Sequence, residues 1–153
     1  MKNAVAILLL LASTLSQSDS LSALGWRGIV PLHSTRGDVE RQLGPGGDGC
    51  KCRYHLDDLI VFFSYSSGDC KSGSEWNVPP NTVVWITVRP RIKPRLSDLN
   101  MDEDKFDKKP GGDIEGQIYY KREEQGLTMV VDHGMVDTFL YGPAVKDRDL
   151  SCR

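Results

Sequence analysis

The start of the chain limits what the rest can become. Met1-Lys2 is followed by an unbroken apolar run, Ala4-Val5-Ala6-Ile7-Leu8-Leu9-Leu10-Leu11-Ala12, and then by a small, polar stretch ending at Ser22. A basic start, an apolar centre and small residues for a peptidase are the parts of a secretory signal. The run is about a dozen residues, short of the ~20 that a membrane-spanning helix requires. Residues 1–22 therefore read as a signal peptide and residues 23–153 as a single mature domain with no membrane span. That domain is expected to fold in the periplasm or the extracellular space, from roughly 130 residues, the size of one ordinary domain.

Charge excludes some partners. Lys and Arg number 19, Asp and Glu 21, and the formal net charge is −2. Nothing in this balance calls for nucleic acid or an anionic membrane. The cysteines are Cys50, Cys52, Cys70 and Cys152. An even number in an oxidising compartment reads as disulfides. A Cys70–Cys152 bridge would tie down a chain end that otherwise frays. That pairing leaves Cys50 and Cys52 as a close pair or as thiols.

Residues 34–45, Ser-Thr-Arg-Gly-Asp-Val-Glu-Arg-Gln-Leu-Gly-Pro, read as a short helix. Ser34 or Thr35 can cap it, Val39 and Leu43 give it an apolar side, and Gly44-Pro45 stops it. Residues 52–65 read as a hairpin turning near Asp57-Asp58, residues 66–81 as loop, and residues 82–88 as a strand. A second cycle follows. Residues 96–108 contain a second helix candidate around Asp102-Glu103-Asp104-Lys105-Phe106, broken by Pro110-Gly111-Gly112. Residues 117–122 and 127–132 form a second hairpin, and residues 135–141 the last strand. Residues 82–90 align without a gap on 135–143, with Val83 on Val136, Ile86 on Phe139, Val88 on Tyr141 and Pro90 on Pro143. The expectation is an α+β domain with an internal repeat, residues 26–90 and 91–143. Each unit is helix, hairpin and strand, and both helices lie on one face of a shared sheet.

The run at 34–45 resembles the helix motif of the SmpA/OmlA family of small bacterial envelope proteins, in which a Ser/Thr-capped helix ends in Leu-Gly-x-Pro before a hairpin. Here the proline directly follows Gly44. The tandem arrangement is similar to the β-lactamase inhibitor protein fold, which doubles a helix-plus-sheet unit, and the general make-up is similar to small exported bacterial proteins. The resemblance implies a scaffold or binding module, not an enzyme, and carries no binding residue over by position.

Several side chains were weighed as sites. Cys50-x-Cys52-x-x-His55, with Asp57 or Asp58 nearby, brings two thiols and an imidazole together in the manner of a zinc or copper(I) site. Arg36-Gly37-Asp38 spells an adhesion tripeptide, but Asp38 falls where a carboxylate complements a helix start. His33 and His133 are isolated. Ser66-Ser67-Gly68-Asp69 and Ser72-Gly73-Ser74 lack a nucleophile elbow's strand–turn–helix setting. The acids at 102–104 lack the alternating donors and central glycine of a calcium loop. Trp76, beside Pro79-Pro80, is a candidate binding anchor or a cover for the sheet edge. No cofactor is called for. The expected function is macromolecular binding or scaffolding, with another envelope or extracellular protein as partner. The alternative is extracytoplasmic metal handling by Cys50, Cys52 and His55.

Overall fold

The computed structural model describes residues 24–46, 52–112 and 114–152. The signal peptide reading and Cys50 lie outside the described residues. The frame is a seven-stranded antiparallel sheet in the order β1-β2-β3-β7-β6-β5-β4. Its strands are β1 (Arg53–His55), β2 (Leu59–Tyr65), β3 (Val83–Pro90), β4 (Asp107–Pro110), β5 (Gln117–Arg122), β6 (Leu127–Asp132) and β7 (Met135–Tyr141). Among the described residues there is one α-helix, α1 (Arg36–Leu43).

The expected α+β domain with two helices is therefore corrected to a mostly-β fold with one short helix. The second helix fails for local reasons. Leu96–Leu99 and Glu103–Lys105 are separate 3-10 turns, neither with a side-chain cap, and Asn100 between them is left-handed at φ 47°. Their apolar side chains still pack: Leu96, Leu99, Met101 and Phe106 lie on the main core. Residues 107–110 form β4, an exposed edge strand paired only with β5. Its Lys-Lys-Pro composition suits an edge, where lysine and proline discourage further pairing.

The strands obey period-two burial. In β6, Leu127, Met129 and Val131 point inward while Thr128, Val130 and Asp132 alternate with them. The two central strands carry a bulge each. Tyr65 pairs with Val83 but Ser64 with Trp85, so Val84 is the extra residue in β3. Val131 pairs with Val136 but Val130 with Thr138, so Asp137 is the extra residue in β7. The inward residues of both strands consequently run i, i+3, i+5: Val83, Ile86, Val88 and Val136, Phe139, Tyr141. The bulged positions coincide in the alignment of 82–90 with 135–143.

One face of the sheet holds the main core. It is covered by Trp26 and Ile29, by Val39 and Leu43 of α1, and by the turns at 96–106. α1 is fixed at its start by a reciprocal cap. The Thr35 hydroxyl accepts from the Asp38 N–H, and the Asp38 carboxylate accepts from the Thr35 N–H at 2.8 Å. A second, smaller core lies where the loop at 66–82 and the C-terminal segment meet the bulge. Leu32, Val78 and Val84 are buried there, with Trp76 and Leu150 against them.

Candidate functional site

The opposite face of the sheet is half-buried and is covered by neither α1 nor the turns at 96–106, and cross-strand register defines it. Residues directly opposite one another share a face. Arg53 opposes Phe62, Phe62 opposes Thr87, Thr87 opposes Leu140, Leu140 opposes Thr128, and Thr128 opposes Lys121. Ser64 and Trp85 form the next row. This face carries aromatic and aliphatic side chains between cations. The Arg53 guanidinium lies 4.7 Å and that of Arg89 5.6 Å from the Phe62 ring centroid. Both arginines are exposed. An arginine over an aromatic face is held electrostatically by the ring quadrupole.

Trp85 is the largest exposed group here, with 43% of its surface open to solvent. Its six-membered ring occupies the space a Cβ at Gly142 would need, so the indole lies down on the main chain of β7's end. Gly126, at φ +62°, meets the Gly142 carbonyl in the same way, and the Gly142 N–H donates to the Gly126 carbonyl at 2.8 Å. A groove of about 330 Å³ lies beside Trp85, with Gly126 in its lining. Trp76, Lys121, Glu123, Thr128 and Arg148 also line it. Arg148 and Glu123 sit 3.4 Å apart at its rim.

One wall of the groove is the C-terminal segment, a 3-10 stretch at Val145–Leu150. Several fastenings hold it. Cys70 and Cys152 form a disulfide. Asn77 N–H donates to the Leu150 carbonyl at 2.7 Å, and Cys152 N–H to the Glu75 carbonyl at 2.9 Å. Asp147, only 6% exposed, accepts from the Ala144 N–H and lies 2.9 Å from His33 Nε2. The expected Cys70–Cys152 bridge is present, and it shapes this site.

The other residues named from sequence are dispersed. Cys52 is disulfide-bonded, so it presents no thiolate to a metal. His55 Nδ1 lies 3.5 Å from Arg91. Asp57 and Asp58 are exposed in the turn between β1 and β2. Asp38 of the adhesion tripeptide is locked in α1's cap. Its hydrogen bond from the Thr35 backbone, then those from the Thr35 hydroxyl and Arg41, pull its carboxyl down to about 2. His133 pairs with the adjacent Asp132 at 2.7 Å. The Ser66 hydroxyl donates to the Gly68 carbonyl at 2.7 Å.

Trp76 is half-buried against the smaller core, and its Nε1 is buried with no hydrogen-bond partner among the described residues. It serves mainly as cover and contributes to the groove from the side. Trp85 and Arg89 are the residues that sequence reasoning missed. The signal was present, because in Val83-Val84-Trp85-Ile86-Thr87-Val88-Arg89 the alternate positions Trp85, Thr87 and Arg89 share the face opposite Ile86 and Val88. A tryptophan repeating with Thr and Arg, out of phase with the core, is an outward-facing tryptophan.

Comparison of the chain with family models, with curated proteins and with solved structures gives no match. Among the described residues, no helix is long and apolar enough to cross a membrane.

Proposed function

We propose that this protein is an exported, non-catalytic recognition module that binds another macromolecule through the face of its sheet opposite the main core. One observation carries the reading. Phe62, Trp85 and Leu140 stand on the central strands with Arg53 and Arg89 beside them, on a face that neither α1 nor the turns at 96–106 cover. Tryptophan and arginine are the residue types in which binding energy concentrates. Placement on hydrogen-bonded strands supports preorganisation, so little side-chain and loop freedom is lost on association. The disulfide and the signal-like start agree with a role outside the cytoplasm.

The test is a capture experiment from the producing cell's envelope and medium with the domain as bait. A double variant, Trp85→Ala with Arg89→Glu, serves as comparison, used at a temperature where its circular dichroism matches that of wild type, because the Trp85 ring also packs on Gly142. A macromolecule retained by wild type and lost with the variant supports the proposal. Equal retention by both baits overturns it.

A further inference from the structure

The ligand class of this face follows from the groove beside Trp85, and naming it rests on the recognition reading above. We infer that the groove is a saccharide-binding site, with Trp85 as stacking platform and Lys121, Glu123, Thr128 and Arg148 as hydrogen-bonding partners.

The chemistry of the lining selects the ligand. A pyranose ring has an apolar face of C–H groups and a rim of hydroxyls, each both donor and acceptor. Trp85 offers an open indole whose π-face is negative and attracts the slightly positive C–H groups. Beside it, the apolar part of the groove is lined by Gly126, Leu127, Pro143 and Ala144. The polar groups around the platform alternate in type. Glu123 only accepts, Lys121 and Arg148 only donate, and Thr128 does both. Adjacent sugar hydroxyls can donate to the Glu123 carboxylate while accepting from Arg148, whose guanidinium lies 3.4 Å from that carboxylate.

Charge excludes the main competitor for a tryptophan-lined groove. Aromatic cages take quaternary ammonium groups. Here two cations, Lys121 and Arg148, stand against one carboxylate, Glu123, so a cationic ligand is repelled. The same imbalance favours sugars bearing a carboxylate over neutral ones. The groove lies between the β6 side of the sheet, through Leu127 and Thr128, and the C-terminal segment, through Val145 and Arg148.

The experiment titrates the disulfide-intact domain with cellohexaose, chitohexaose and tetragalacturonate, following tryptophan fluorescence and heat. At least one probe should give a saturable change, with tetragalacturonate tightest. Trp85→Ala should weaken that binding about tenfold or more, and Trp85→Phe should recover part of it. Glu123→Gln should weaken a neutral probe while retaining the melting temperature. Saturable binding to none of the three, or equal binding by Trp85→Ala, overturns the saccharide assignment. If the capture experiment then yields a protein lost with the Trp85/Arg89 variant, the recognition reading stands and only the ligand class fails. If neither saccharide nor macromolecule depends on Trp85 and Arg89, both fail.

Discussion

Val39 shows how much of this fold hangs on single contacts. It is 0% exposed and is the only buried residue of α1. The helix has just eight residues, too few to be stable without docking. Val39→Asp places an unpaired carboxylate in that contact, at a cost of several kcal/mol. The variant should lack a cooperative melt under conditions where wild type is folded, as followed by circular dichroism. The neighbouring cap gives a subtler test. Asp38 has a depressed carboxyl, so the native state favours its charged form. Its contribution is complete above the unfolded value, about pH 4, and is lost as pH falls toward about 2. Asp38→Ala should melt lower than wild type at neutral pH, and the two curves should converge through that acid window. A constant gap at every pH would show that the cap is not what stabilises α1. Both residues were legible in the sequence, because a capped start, an apolar position four on and a Gly-Pro stop are local signals.

At the scale of elements, legibility divides by how local the determining force is. Both hairpins and the central strands follow from runs of β-formers. β4 does not, because Asp-Lys-Lys-Pro becomes a strand only through pairing with β5. The second helix expected around Asp102-Glu103-Asp104-Lys105-Phe106 gives way to two 3-10 turns, because neither has a side-chain cap and the left-handed Asn100 ends the first. The bulges at Val84 and Asp137 interrupt period two at one position each in β3 and β7, and the alternation is regular beyond them. Duplication of one unit would account for a bulge at both aligned positions. Trp85 escaped notice because its site depends on Gly142 and Gly126, distant in sequence. An even cysteine count pointed to disulfides, and the structure bonds Cys152 to Cys70. The bridge closes a span of 82 residues, worth about 4.5 kcal/mol in the chain-entropy model. Cys152→Ser should lower stability by roughly 2–5 kcal/mol and leave a reactive thiol at Cys70. It should also loosen the groove wall, so Trp85 fluorescence should shift before global unfolding. Native protein should show no reactive thiol at Cys52, Cys70 or Cys152, and non-reducing peptide mapping should recover the Cys70–Cys152 pair.

At the scale of the whole molecule, one core face couples the two halves of the sheet, and its tyrosines report on that coupling. Tyr65 lies on β2 and Tyr141 on β7, and each phenol is pushed up to about 12. Burial is the first cause for both: the charged phenolate has lost water, and at Tyr65 the Arg36 guanidinium over the ring offsets only part of that loss. The Tyr65 hydroxyl is buried without a hydrogen-bond partner among the described residues. In the unfolded chain a phenol ionises near pH 10. Between about 10 and 12 the unfolded chain therefore binds fewer protons than the native state, and stability falls as pH rises. Below about pH 10 the contribution is complete. The domain should unfold cooperatively in this alkaline window, with tyrosinate absorbance from the buried phenols appearing together with the loss of sheet signal. Tyr65→Phe removes one of the two groups and an unsatisfied hydroxyl. It should be neutral or slightly stabilising at pH 7, since a buried unpaired hydroxyl costs about 1–3 kcal/mol to desolvate. Its alkaline midpoint should move upward. If all tyrosinate absorbance instead developed near pH 10 with the sheet signal intact, water would reach these phenols in the native state, and the single continuous core joining β2, β3 and β7 would have to be abandoned.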